Sequence, residues 1–300
     1  MAGPVVITGA GGFVCSAMAR ALADAGYEVV AIDRSFDAEA RAALTGIETI
    51  EADLLSGGGL PEGLSPGAVI HGAAITAAPA EAGMTPARHL AANTGLLTAM
   101  LDWAQRAGAD RFLFLSSTGI FTGEDGQGAA RLTEDLPATG CSPYAAAKRA
   151  GEILVRAADA DDFATLSLRL GNIFGPGERA RPSRPGLSLP HRLRREAAAG
   201  PVRSGHARAE REWSWLPDLA RKMPALLAAM PYLEPGVLHP GAPPVLADRE
   251  MARLVTGREV ALPDGGEAPR PPMASIRRSP FDAVDWTPVA DGLRQLGLLA

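Results

Sequence analysis

The chain of 300 residues contains only two cysteines, Cys15 and Cys141, which excludes a disulfide framework and fits a reducing, cytoplasmic setting. Histidine is sparse too. Residues 71, 89, 191, 206 and 239 are scattered with no pair at metal-ligand spacing, so no metal centre is expected. No apolar run approaches the roughly 20 residues needed to span a bilayer. The N-terminus lacks a basic stretch followed by an apolar core and a cleavage site, so no secretory signal is expected. A net charge of −5 gives no reason to expect nucleic acid or an anionic membrane as partner. Lysine is scarcest of all: Lys148 and Lys222 stand against 27 arginines. In a chain that otherwise uses Arg, a retained lysine points to a position where a compact ammonium matters.

What is present is an alternation. Short apolar strands are expected at Pro4–Thr8, Tyr27–Ile32, Glu48–Glu51, Ala68–His71, Arg111–Ser116 and Thr165–Leu170. Between them, Val14, Ala17, Met18, Ala21 and Leu22 repeat at helical spacing up to a C-cap at Gly26. Leu90, Leu97 and Leu101 mark a second helix ending before Gly108, and Ser142-Pro143 starts a third. This is the pattern of an α/β fold, a doubly wound parallel sheet of the Rossmann kind. Ligands of such sheets bind beyond the C-terminal strand ends. Past Gly175 the pattern breaks: "GPGERARPSRPG" (175–186) reads as a loop. Helices are expected at His191–Ala199 and Pro217–Ala229, and the Pro-rich tail from Pro240 as an extended segment. The length of these parts suits a smaller C-terminal lobe.

The stretch "VVITGAGGFVCSAMARAL" (5–22) joins the first strand to the first helix through a glycine turn. Gly9 would make the tight turn and Gly12 would admit a pyrophosphate, with the helix dipole behind it. Asp33 lies 21 residues beyond Gly12, at the second strand's end, where a carboxylate accepts from an adenosine ribose diol and repels a 2′-phosphate. By itself Asp33 reads equally as a solvated turn residue, and Arg34 beside it leaves NADP admissible. Cys15 occupies the third glycine position and reads as a small packing residue, not a catalytic thiol.

"SPYAAAKRAGE" (142–152) puts Tyr144 and Lys148 one helical turn apart on one face. A phenol is a poor base at neutral pH, and a nearby ammonium together with an oxidised nicotinamide would favour its phenolate. Tyr144 could then take a proton from a substrate hydroxyl while the carbinol carbon delivers hydride to the cofactor. Ser116, Ser117 and Thr118 at a strand end offer a hydroxyl to hold the substrate oxygen, although a strand-end cap is the commoner role of each.

Taken together, Thr8–Phe13, "HGAA" (71–74), Asn93, the Ser-Ser of "FLFLSSTGIF" (112–121), Tyr144 with Lys148 and "LRLGNIFGPG" (168–177) resemble the extended short-chain dehydrogenases/reductases, the NAD-dependent epimerase/dehydratase family. The resemblance covers residues 4–220 and fades in the tail. It implies NAD as cofactor, Ser117, Tyr144 and Lys148 as the catalytic set, and Tyr144 and Lys148 also as cofactor contacts, Lys148 on the nicotinamide ribose. Gly9, Gly12 and Phe13 would cover the pyrophosphate, Asp33 and Arg34 would flank the adenosine ribose, and Asp53 and Leu54 would lie near the adenine. Ala73, Ala74 and Asn93 complete the expected cofactor set; Ser117, Thr118, Asn172 and Arg211 are the expected substrate contacts. Arg211 would meet a substrate phosphate, and Asp218 would have a structural role. The expected organisation is an NAD-binding domain over 1–172, rejoined by 211–245, with a substrate lobe from 173–210 and 246–300.

The departures are informative. Thr118-Gly119 stand where 4,6-dehydratases carry an acidic pair, and Phe121 replaces the usual tyrosine. Three readings stay open: a 4-epimerase-like enzyme on a nucleotide sugar, a net NAD-dependent dehydrogenase of a free sugar or sugar acid, and a non-catalytic NAD-sensing regulator. Arg179, Arg181, Arg184, Arg192, Arg194 and Arg195 suit an anionic substrate, or equally form a solvated basic face. Apolar residues on more than one face of helices 86–107 and 143–158 predict a homodimer packed through them.

Overall fold

The computed structural model describes residues 3–55, 60, 63–181, 184–266 and 269–300. Its elements run β1 (Val5–Thr8), α1 (Phe13–Asp24), β2 (Val29–Asp33), α2 (Ala38–Ala43), β3 (Glu48–Glu51), β4 (Ala68–His71), α3 (Pro86–Arg106) and β5 (Arg111–Ser117). They continue with α4 (Pro143–Ala157), β6 (Ala164–Leu170), β7 (Asn172–Phe174), α5 (Leu189–Ala199), β8 (Glu210–Trp215), α6 (Leu216–Arg221) and α7 (Met223–Ala229). The last are β9 (Gly236–Leu238), β10 (Val245–Ala247), α8 (Asp248–Thr256) and α9 (Val289–Gln295).

Seven parallel strands form the main sheet in the order β3-β2-β1-β4-β5-β6-β9. The order reverses between β1 and β4, and that switch point opens a crevice at the C-terminal strand ends. β1 and β4 are buried on both faces, as their unbroken apolar runs require. One core, around Ile7, Met18, Leu22, Leu219 and Met223, lies on the α1–α6–α7 side. The other, around Val69, Leu97, Met100 and Phe112, lies under α3 and α4. Thr85 and Ser142 cap α3 and α4, each accepting from the N–H three residues on, with proline next in line.

A second sheet, β10-β8-β7, packs with α5, α8 and α9 around Phe174, Trp213, Trp215, Met251 and Leu293. β8 therefore pairs in the small sheet, whereas α6, α7 and β9, from the same 211–245 stretch, pack on the large one. The tail differs from the extended segment read in the sequence. α8 buries Met251, Ala252 and Val255 at helical spacing, a short pattern that the surrounding prolines obscure. The helix expected over Pro217–Ala229 is broken at Lys222, since Pro224 has no N–H to continue the α6 ladder.

Candidate active site

At the switch point the glycine turn fits a dinucleotide. Gly9 sits at φ 73°, and a Cβ there would come within 2.8 Å of the Ala73 nitrogen and the Gly72 carbonyl carbon. Gly12 caps α1 without any side-chain bond, so the first N–H groups of the helix face the crevice as anion donors. Asp33 ends β2 beside this turn; its Oδ2 accepts from the Gly11 N–H at 2.8 Å and its Oδ1 from the Arg34 N–H at 2.7 Å. Cys15 packs against β4 where Gly72 leaves room, because a Cβ on Gly72 would collide with the Cys15 sulfur. The larger residue on the helix is thus matched by the smallest on the strand. Burial and the Asp33 charge push its thiol up to about 12, which keeps it protonated.

The catalytic candidates converge from two elements. Ser117 ends β5, and α4 presents Tyr144, Lys148 and Glu152 four residues apart on one face. Ser117 and Tyr144 line the same crevice, and the Ser117 hydroxyl accepts from the Gly119 N–H at 3.0 Å. Lys148 is buried; its ammonium donates to the Leu115 carbonyl at 2.7 Å and lies 4.5 Å from the Phe114 ring centroid and 5.7 Å from that of Tyr144. Burial lowers the Lys148 amine to about 8. Burial also raises the Tyr144 phenol above its ordinary value; the Ser117 hydroxyl and the Arg184 guanidinium oppose that rise. The protein alone therefore keeps the phenol protonated; the phenolate expected from the sequence calls for the oxidised nicotinamide as well as the ammonium. Glu152 locks the face in place by accepting from the Ser116 hydroxyl at 2.7 Å and from Arg169 through two bonds of 2.8 Å.

A cavity of about 380 Å³ joins both halves. It is lined by Gly9, Gly12, Phe13, Asp33, Arg34, Asp53, Leu54, Ala73 and Ala74 toward the turn, and by Ser117, Tyr144 and Lys148 at the other end. Four expected residues do not line it. Asn93 holds the 73–76 loop through the Ile75 N–H (2.8 Å) and carbonyl (3.2 Å). Thr118 is buried, donating to the Leu170 carbonyl and accepting from Arg270 at 2.9 Å. Asn172 donates to Glu212 at 3.1 Å. Arg211 grips the fully buried Asp248 carboxylate at 2.8 and 3.1 Å. Asp218 is buried and holds the Thr287 N–H at 2.7 Å.

The sequence reading did not single out Arg270, which binds the buried Glu212 at 2.9 Å. A charged residue between prolines carries no periodic signal, although a glutamate set directly before the core residue Trp213 calls for such a partner. Arg181 and Arg184 also line the cavity, beside the glycine turn. Among the described residues, no group of three or more His, Cys, Asp or Glu is placed to hold a metal. Nor is any helix among them long and apolar enough to cross a membrane.

The glycine turn, the Asp33 carboxylate and the Ser117, Tyr144 and Lys148 side chains share one crevice. Residues 5–235 match the profile of the NAD dependent epimerase/dehydratase family, and the chain belongs to that family. It is 28% identical to UDP-glucose 4-epimerase of Azospirillum brasilense over 181 residues, 59% of this chain and 51% of the relative. It is 29% identical over 195 residues to 2-alkyl-3-oxoalkanoate reductase of Stenotrophomonas maltophilia (strain K279a), 58% of this chain and 52% of the relative. The chain spans about half the length of these curated relatives. Among solved structures it is similar to TunA, an NAD dependent-NDP-hexosamine 5,6-dehydratase involved in tunicamycin biosynthesis, with a TM-score of 0.76, 24% identity and coverage of 97% and 95% of the two chains. The cofactor is NAD.

Proposed function

We propose that the protein oxidises a secondary hydroxyl of a sugar-type substrate, with Ser117, Tyr144 and Lys148 as the catalytic set. The observation that carries this reading is that Ser117, Tyr144 and the buried Lys148, its ammonium 5.7 Å from the Tyr144 ring centroid, line one end of a cavity whose other end is the glycine turn. NAD supplies the hydride acceptor. Ser117 holds the substrate oxygen, Tyr144 exchanges its proton with that oxygen, and Lys148 supplies positive charge that favours the phenolate once a cationic nicotinamide is adjacent. Gly9, Gly12 and Phe13 hold the diphosphate, Asp33 and Arg34 flank the ribose, and Asp53, Leu54, Ala73 and Ala74 line the adenosine side. Asn93 acts by fixing the 73–76 loop.

The leading finer reading is a 4-epimerase-like reaction on a nucleotide sugar, supported by the curated epimerase relative. Arg211 would then turn from Asp248 toward a substrate phosphate, with Thr118 and Asn172 at the sugar. A net dehydrogenase of a free sugar or sugar acid is the second reading. It is favoured by the pairing of Arg211 with Asp248 and of Arg270 with Glu212, since both arginines are already neutralised by buried carboxylates. A reducing cytoplasm suits its two free cysteines. A homodimer through α3 and α4 is supported by Ile153, 71% exposed on α4.

The test is a nicotinamide-absorbance assay across nucleotide sugars and free sugar acids, with product analysis. Isomerisation without net reduction of the cofactor supports the epimerase, and net reduction supports the dehydrogenase. Neither change with any member of the panel would contradict the shared oxidation chemistry.

A further inference from the structure

The loop between β7 and α5 lies against the glycine turn, and the reaction described above makes no use of it. Glu178 draws the loop's ends together: its fully buried carboxylate accepts from the Ser188 N–H (2.6 Å), the Ser188 hydroxyl (2.5 Å) and Arg184 (3.0 Å). Arg179 reaches across to the large sheet. Its Nε and Nη2 chelate Asp37 at 2.8 and 2.5 Å, and Nη2 also meets the Gly11 carbonyl at 3.2 Å. Arg181 donates to the Ser35 carbonyl at 3.0 Å and stands 3.9 Å from Asp33 Oδ2. Arg179 and Arg181 thus pin their part of the loop over the turn by contacts that are all charged at one end.

Arg184 is held differently from its neighbours. Its guanidinium carbon lies 5.3 Å from the ring centroid of Phe13, the first residue of α1, and it lines the same cavity as Gly12 and Phe13. One terminal nitrogen is committed to Glu178. The other, Nη1, is buried and has no hydrogen-bond partner among the described residues. A buried donor left unmade is costly, so an acceptor belongs there. The turn offers N–H donors to the groove, and Arg184, stacked on Phe13, adds a charged donor beside them. A diphosphate laid across the N-terminus of α1 meets both.

We propose that Arg184 is a cofactor-binding residue supplied by the β7–α5 loop, its Nη1 donating to the diphosphate of NAD. Arg179 and Glu178 position it. The inference rests on the cofactor groove and is independent of which substrate is oxidised.

Calorimetric titration of the parent and Arg184→Met with NAD, ADP and adenosine tests it. Loss of a charge-assisted hydrogen bond should weaken NAD and ADP by about ten- to a hundredfold and leave adenosine within about twofold. The ratio of ADP to adenosine affinity is the deciding quantity, because partial unfolding lowers both together. Arg184→Gln, which keeps a donor for Glu178, should show the same collapse of that ratio. A ratio in either folded variant within about threefold of the parent's would overturn the proposal.

Discussion

Asp33, Cys15 and Tyr144 mark how far single residues could be read. Tyr144 and Lys148 were legible because a pair spaced one helical turn apart must share a face, and Asp33 because a strand end fixes where its carboxylate lies. Arg211 was not, since the partner of a long side chain is set by a residue distant in sequence, here Asp248. Asp33 should set cofactor choice: its carboxylate is held by the Gly11 and Arg34 N–H groups beside the turn, so a 2′-phosphate would meet a fixed negative charge. Asp33→Ser is expected to narrow the preference for NAD over NADP by about tenfold or more, read from the two kcat/KM values. The two thiols should separate as sharply. Cys141 is exposed, whereas Cys15 is buried with its thiol pushed up to about 12. A thiol reagent at neutral pH should label Cys141 on the folded protein and reach Cys15 only after denaturation; rapid labelling of Cys15 would contradict its role as a packing residue.

At the scale of elements, α4 is the one on which the site depends. Its face carries Tyr144, Lys148 and Glu152, and Glu152 ties the helix to β5 through Ser116 and to β6 through Arg169. Both members of the Glu152–Arg169 pair are under one-tenth exposed, so removing one leaves a buried charge uncompensated. Glu152→Ala should cost about 3–5 kcal/mol in denaturant unfolding, and Glu152→Ala with Arg169→Met should recover much of it. Equal losses in the single and double variants would show that the pair does not hold α4. The strand–helix alternation through β6 was readable because β1, β2 and β4 are continuous apolar runs and α1, α3 and α4 open on a Gly, Thr or Ser signal. The small sheet was not readable from its strands: β7 and β10 have three residues each, too few for a period to emerge, and they form only by pairing with β8.

For the whole molecule, the two sheets meet across the crevice, and the β7–α5 loop brings residues of the small-sheet side onto the glycine turn of the large one. On the opposite side of the large sheet, α4 leaves Ile153 and Leu154 exposed next to α3, where a two-fold partner would cover them. Light scattering at micromolar concentration should return about twice the single-chain 31.0 kDa, and a monomer mass would contradict the dimer. The central claim, that Tyr144 is the proton-transferring group of an NAD-dependent oxidation, is tested most directly by comparing parent and Tyr144→Phe in the same two measurements. These are NAD affinity by calorimetry and turnover on a substrate identified from the panel of nucleotide sugars and sugar acids. The account predicts unchanged NAD affinity and turnover lowered by about 10²–10⁴-fold; near-normal turnover in Tyr144→Phe would contradict it.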